Sequence, residues 1–205
     1  QYAVSESGTL LYAPGKSTGN ITGIQWLEHD GKLSPLRSIL ASYDAPQFSP
    51  DGTRLAMHFA EPGKSSDIYV YDWKRDTMTR LTFAAEVDQV PVWTPDGRWI
   101  TFASGRTGAG SNGSNLYWSH SDGTGEAQRL TESKNYQLPS SWHPSGKFLA
   151  FMQADAKTAI DIMILPLEGD EKSGWKPGKP TVFLNSPFAE MWPSFSPDGR
   201  WLAYA

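Results

Sequence analysis

Acidic, amide and aromatic side chains recur at one position of this chain, shortly before a repeated proline. The residue three positions before Pro46, Pro91, Pro139 or Pro193 is aromatic or acidic, and an acid, amide or Met follows it. The residues are Tyr43, Asp44, Asp88, Gln89, Tyr136, Gln137, Glu190 and Met191. Carboxylates beside aromatic rings suit cationic or peptide groups better than anions. A fold that brings these segments together would therefore form a site for a ligand of that kind.

The other reactive residue types form no recognisable centre. His29, His58, His120 and His143 are not paired at metal-ligand spacing, and the chain has no Cys. The run from Gly108 to Gly113 has the spacing of a dinucleotide loop, but a predicted strand rather than a helix follows it. It is therefore predicted to be a loop, as are the sequons at Asn20 and Asn112. We predict no catalytic residue, no metal and no cofactor.

Composition narrows the class of protein. With 18 Lys and Arg against 22 Asp and Glu, the net charge of −4 argues against a nucleic-acid surface. No apolar run is long enough for a membrane-spanning helix. Aromatic residues make up 13% of the 205 residues, with 19 Gly and 15 Pro. This mixture is typical of many short strands joined by tight turns.

A turn block repeats along the chain and sets its organisation. It reads Ser-Pro-Asp-Gly or Thr-Pro-Asp-Gly at residues 49–52, 94–97 and 196–199, with variants at 143–146 and 5–8. Its glycines Gly8, Gly52, Gly97, Gly146 and Gly199 are 44, 45, 49 and 53 residues apart. Pro presets one turn dihedral, Asp bonds the local backbone, and Gly accepts positive φ. The recurring Asp51, Asp96 and Asp198 are therefore predicted to stabilise turns rather than to catalyse.

Short apolar segments follow each block in a constant order. The second to fourth strands are predicted at 55–57, 67–71 and 79–82, then at 99–102, 115–118 and 128–131, then at 148–151, 161–165 and 181–184. In the first unit, strands are predicted at 2–4, 9–12, 24–27 and 36–39. Four short strands at a period near 45 are typical of a β-propeller blade, and no segment has a sustained helical period.

These motifs resemble a known family. The block, together with DIYVYD at 67–72 and TRLT at 79–82, resembles the WD-like repeats of TolB-type β-propellers. The blade order is most similar to the C-terminal propeller of bacterial serine/threonine protein kinases, on residues 4–10, 81–83, 123–126 and 164–170. The resemblance implies an all-β fold and, in a bacterium, a periplasmic or extracytoplasmic location. It also implies that ligands bind at the mouth of the central channel, where Tyr43, Asp88, Tyr136 and Glu190 would converge.

The repeats divide the chain into about four and a half four-stranded antiparallel blades. We predict blades at residues 1–42, 43–87, 88–135 and 136–189, and a half blade at 190–205. The resemblance implies that propellers of this type close with six or more blades. The chain is therefore expected to be a partial propeller from a longer protein, and its open blade edges are expected to self-associate.

Three functions remain open at this stage. The first is a non-catalytic binding or sensor module, probing a peptide, protein or small ligand at the channel mouth. The second is the gating propeller of a prolyl-oligopeptidase-type serine peptidase. The third is a metal-dependent lyase-like propeller using channel histidines. The first is preferred because a repeated motif in every blade indicates fold more than chemistry.

Overall fold

Three turn blocks, at 49–52, 94–97 and 196–199, close on themselves through one hydroxyl and one carboxylate. In the computed structural model, Ser49 Oγ donates to Asp51 Oδ1 at 2.6 Å and accepts the Arg54 N–H at 2.9 Å. The same two contacts recur in the blocks that begin at Thr94 and Ser196. The hydrogen bond from its Ser neighbour lowers the pKa of Asp51. The predicted turn role of the block aspartates is confirmed.

Every regular element in the described residues is a β-strand, and none is a helix, as predicted. The structure describes residues 2–4, 10–12, 24–36, 43–61, 63–106, 113–170 and 173–205. The glycine run at 108–112 and both sequon asparagines therefore lie outside the described residues.

The strands form successive antiparallel sheets in which neighbours along the sequence pair, except that the last strand of the fourth sheet pairs with its third. The first sheet contains β1 (Tyr2–Val4), β2 (Leu10–Tyr12), β3 (Gln25–Leu27) and β4 (Leu33–Pro35). The second contains β5 (Asp44–Phe48), β6 (Arg54–Ala60), β7 (Ser66–Asp72) and β8 (Thr77–Arg80). The third contains β9 (Asp88–Trp93), β10 (Trp99–Ser104), β11 (Asn115–His120) and β12 (Gln128–Arg129).

The fourth sheet is larger than the other three. It contains β13 (Gln137–Trp142), β14 (Phe148–Asp155), β15 (Ala159–Asp170), β16 (Gly174–Pro177) and β17 (Thr181–Leu184). The last sheet contains β18 (Ser194–Phe195) and β19 (Leu202–Ala203). This arrangement is the predicted partial propeller.

Two elements differ from the prediction. The first sheet has its fourth strand at Leu33–Pro35, because Leu27 and Leu33 pair directly across the turn at Gly31. Residues 37–39 of the strand predicted at 36–39 lie outside the described residues. β16 was not predicted, because the four-strand template ends the third strand near Leu165. In the structure β15 continues to Asp170, and its last four residues pair with β16.

Apolar side chains fill the spaces between neighbouring sheets. Trp93 is buried and donates its indole N–H to Gln47 O of the second sheet at 3.0 Å. Trp142 is buried and donates to Thr101 Oγ1 of the third sheet at 3.2 Å. The strand positions of six residues in the sequence predict that their side chains fill these spaces: Trp26, Trp93, Trp99, Trp142, Trp192 and Trp201. The prediction is correct for Trp93 and Trp142. It is wrong for Trp192 and Trp201, which are exposed.

Two buried carboxylates near the start of their strands are each held by an Arg. Arg80 Nη2 lies 2.7 Å from Asp67 Oδ2, and Arg106 Nη2 lies 2.6 Å from Asp88 Oδ2. Asp88 is fully buried, and its backbone carbonyl accepts a hydrogen bond from Ser66 of the preceding sheet. Arg80 thus forms its ion pair within its own sheet, and Arg129 forms one with the nearby Glu132.

Arg106→Ala should lower the free energy of unfolding by about 3 kcal/mol, because it leaves the Asp88 carboxylate buried without its cation. Urea unfolding measures the loss. Adding Asp88→Asn to this variant should recover part of it. Arg129→Ala is the control, since its ion pair is exposed and should contribute less than about 1 kcal/mol. Equal losses for Arg106→Ala and Arg129→Ala would contradict this reading.

Candidate functional site

A cavity of about 630 Å³ lies where the inner strands of successive sheets approach one another. β5, β9, β13 and the segment leading into β18 all contribute to its wall. Its lining residues are Asp44, Ala45, Pro46, Gln47, His58, Gln89, Val90, Val92, Pro139, Ser140, Trp192, Pro193 and Ser194. We call it the channel cavity. Its volume lies within the range of small-ligand sites.

A strained backbone position shapes the wall of the channel cavity. Ala45, Val90 and Trp192, each directly before a block proline, have φ of 46°, 56° and 56°. Positive φ is unusual for any residue with a side chain and an outlier for a β-branched one such as Val90. β5 and β9 also carry a β-bulge at this point. Strain of this kind is found where surrounding contacts hold it and often where function needs it.

The backbone N–H of each strained residue has an acceptor. The Val90 N–H donates to His58 Nδ1 at 3.2 Å, and the Trp192 N–H donates to Met152 Sδ at 3.3 Å. His58 and Met152 each follow their block glycine by six residues and belong to the preceding sheet. In the third sheet the residue six positions after the block glycine is Ala103, whose side chain cannot accept a hydrogen bond. The residue before the following block proline is Leu138, and its φ is not positive. The strained conformation thus accompanies an acceptor side chain.

His58 presents a defined tautomer to the cavity. Because Nδ1 accepts the Val90 N–H, the proton of the neutral imidazole is on Nε2, which lies 3.9 Å from Asp44 Oδ2. Burial lowers the pKa of His58 below its ordinary value of 6.5, and the Asp44 carboxylate opposes part of that shift. The side chain of Asp44 is half-exposed, and its Oδ1 accepts the Ala45 N–H at 2.8 Å. The site therefore offers one accessible carboxylate beside an N–H donor.

Three of the sequence-predicted site residues lie at or beside the cavity. Asp44 and Gln89 line it, and Gln89 Nε2 donates to the hydroxyl of Tyr136, which is exposed. This contact joins the third and fourth sheets at the cavity rim. The convergence expected from the repeat is therefore observed for these three side chains.

Four further predicted residues are buried and serve the fold. Tyr43 packs edge-on against Phe59 in the core. The carboxylate of Asp88 is held by Arg106. Gln137 is bonded to Thr131 and to Gln153, and Glu190 accepts a hydrogen bond from Ser186. Because their partners lie inside the sheets, these four side chains are not accessible to a ligand in the channel cavity.

Sequence reasoning missed His58 and Trp192 as cavity residues. His58 lies directly opposite Asp44 in the β5–β6 ladder, so strand pairing was the signal that could have found it. Within the described residues, no three His, Asp or Glu side chains are grouped as a metal site would require. The same residues contain no helix long and apolar enough to cross a bilayer.

Acidification should destabilise the fold through His58. Its folded pKa is lowered, so the unfolded chain binds the extra proton more readily, and stability falls as the pH drops through and below 6.5. Protonated Nδ1 also cannot accept the Val90 N–H. Urea unfolding from about pH 7.5 to about pH 5 should show a smaller decline for His58→Asn than for the native chain. Asn keeps an acceptor but does not titrate, so identical slopes would contradict the assignment.

Comparison with known proteins agrees with this architecture. The sequence is 25% identical over 198 residues to the uncharacterized peptidase YuxL of Bacillus subtilis (strain 168), covering 81% of this chain and 30% of that protein. The crystal structure of TolB from Acinetobacter baumannii superposes with a TM-score of 0.74 at 22% identity, over 97% of this chain and 46% of that one. A putative TolB from Agrobacterium tumefaciens gives 0.73 at 21% identity, over 100% and 73%.

The chain thus spans about a third of the length of its peptidase relative. The sequence profile of the TolB beta propeller domain matches residues 24–205, which is most of the chain. The chain therefore belongs to the TolB β-propeller domain family.

Proposed function

We propose that this chain is a non-catalytic binding module that holds an extended peptide segment of a partner at the channel cavity. The observation that carries the proposal is the wall of that cavity. It combines one accessible carboxylate, Asp44, with proline rings and the exposed indole of Trp192. A peptide offers both the polar backbone and the apolar side chains that such a wall can contact.

The charge of the cavity supports a cationic or neutral peptide over an anion. Asp88 and Glu190 are buried within the sheets, so Asp44 supplies the accessible negative charge of the wall. His58 is held neutral by burial near pH 7 and adds an N–H donor rather than a cation. Gln89 and Ser140 add polar groups that suit a peptide backbone.

A second function is favoured by one comparison. The similarity to the peptidase YuxL makes a gating propeller of a serine peptidase the alternative, in which peptides pass the same cavity on their way to a hydrolase domain. The blade order that resembles kinase-linked propellers favours a signalling parent outside the cytoplasm instead. The parent gene distinguishes them: a kinase with His-Arg-Asp before Gln1 favours the sensor, and a hydrolase after Ala205 favours the gate.

Peptide binding is tested with sequences selected on the chain from a phage-displayed random library. Asp44→Asn removes the charge yet keeps an acceptor for the Ala45 N–H, and Trp192→Ala removes the exposed indole. Each substitution should weaken binding of a selected, labelled peptide by about tenfold in fluorescence anisotropy, as loss of a central contact does.

The matched control is Trp201→Ala, because Trp201 is also an exposed indole but does not line the channel cavity. It should leave the affinity unchanged. Failure to enrich any peptide, or equal affinities for Asp44→Asn, Trp192→Ala and the native chain, would contradict the proposal.

A further inference from the structure

A second concave region lies between the third and fourth sheets, next to their turn blocks. It consists of two adjoining cavities of about 350 and 440 Å³. Both are lined by Trp99, Trp118, Trp175 and Asp96, and the smaller one also reaches Trp142. We call this region the tryptophan cleft. None of its lining residues lines the channel cavity.

The walls of the tryptophan cleft are held rigidly by ring stacking. His120 stacks on Trp99 with centroids 3.7 Å apart, Trp99 on Trp118 at 4.4 Å, and Trp118 on Trp142 at 6.4 Å. The Trp118 indole N–H donates to Gln128 Oε1 at 3.2 Å. A ligand would therefore meet walls that are already ordered, which reduces the entropy cost of binding.

One wall of the cleft is formed by β16, the strand that the four-stranded pattern of the other sheets does not contain. β16 exists because β15 is extended beyond the length of the other third strands, and it carries Trp175. Trp175 is half-buried, packs against the core residues of the cleft and lines both cavities. It stacks on no other ring among the described residues. The additional strand thus adds Trp175 to the indoles that the third sheet contributes to the cleft.

We propose that the tryptophan cleft binds a short, uncharged saccharide. A pyranose ring has C–H faces that pack on an indole, and its hydroxyls donate and accept hydrogen bonds. The cleft supplies both, because Asp96, Arg98 and Gln128 line the larger cavity beside Trp175. Trp175 is the indole that a sugar ring would contact, since Trp99 is already stacked on His120 and on Trp118. Charge argues against a cationic ligand, since the Arg98 guanidinium lines the same space as the Asp96 carboxylate.

Saturation-transfer difference NMR tests the proposal with maltotetraose, cellotetraose and chitotetraose as probes. At least one should bind the native chain with a Kd of about 1 mM or tighter. Trp175→Ala should weaken that binding about tenfold through the lost indole contact, and Arg98→Ala should weaken it through lost hydrogen bonds. Arg98 is exposed, so that second variant keeps the test valid should Trp175→Ala fold poorly.

Two controls separate this site from the channel cavity. Trp201→Ala removes an exposed indole elsewhere, and Asp44→Asn alters the channel cavity; both should bind the saccharide as the native chain does. No binding of any probe, unchanged binding by Trp175→Ala and Arg98→Ala, or loss of binding in Asp44→Asn would each overturn the proposal. None of these outcomes bears on the separate proposal that the channel cavity binds a peptide.

Discussion

The conformation of the residue before the block proline controls the inner wall of this propeller. In a left-handed conformation its N–H turns away from the regular ladder and needs an acceptor, since an unbonded N–H in a buried wall costs about 1–3 kcal/mol. His58 and Met152 provide that acceptor from the neighbouring sheet. At Val90 and Trp192 one hydrogen bond therefore links adjacent sheets at a strained dihedral in the wall of the channel cavity, whereas the Ala45 N–H is accepted by the neighbouring Asp44.

The position three residues before the block proline has different consequences in different sheets because the repeat preserves the backbone turn rather than the side-chain chemistry. Asp88 and Tyr136 occupy equivalent places three residues before a block proline, yet one is buried on Arg106 and the other lies at the cavity rim. The difference follows from local partners: Arg106 is available to Asp88, whereas Tyr136 meets the amide of Gln89. Of this ring of equivalent residues, Tyr136 lies at the cavity rim, and the accessible acid of the site, Asp44, comes from the next position along the chain.

The fold could be predicted from the sequence because its signal is local and repeated. Pro50-Asp51-Gly52 and its copies encode the turns, and the apolar segments that follow encode the strands. The site was only partly predictable. Asp44 and Gln89 were found from their place in the repeat, whereas His58 enters the channel cavity through strand pairing. Trp175 enters the tryptophan cleft through an additional strand that the period of the repeat does not contain.

The partners of the buried carboxylates also indicate that the sheets differ in stability. In the second sheet Asp67 is paired with Arg80, which lies opposite Tyr69 in the ladder between β7 and β8. In the fourth sheet the residue in the place of Arg80 is Val182, which lies opposite Met163 and carries no charge. Asp161 and Glu190 are both buried, and Asp161 Oδ1 and Glu190 Oε2 have no hydrogen-bond partner among the described residues. A buried carboxylate without a cation is costly. Local opening should therefore require least free energy where the fourth sheet meets β18 and β19.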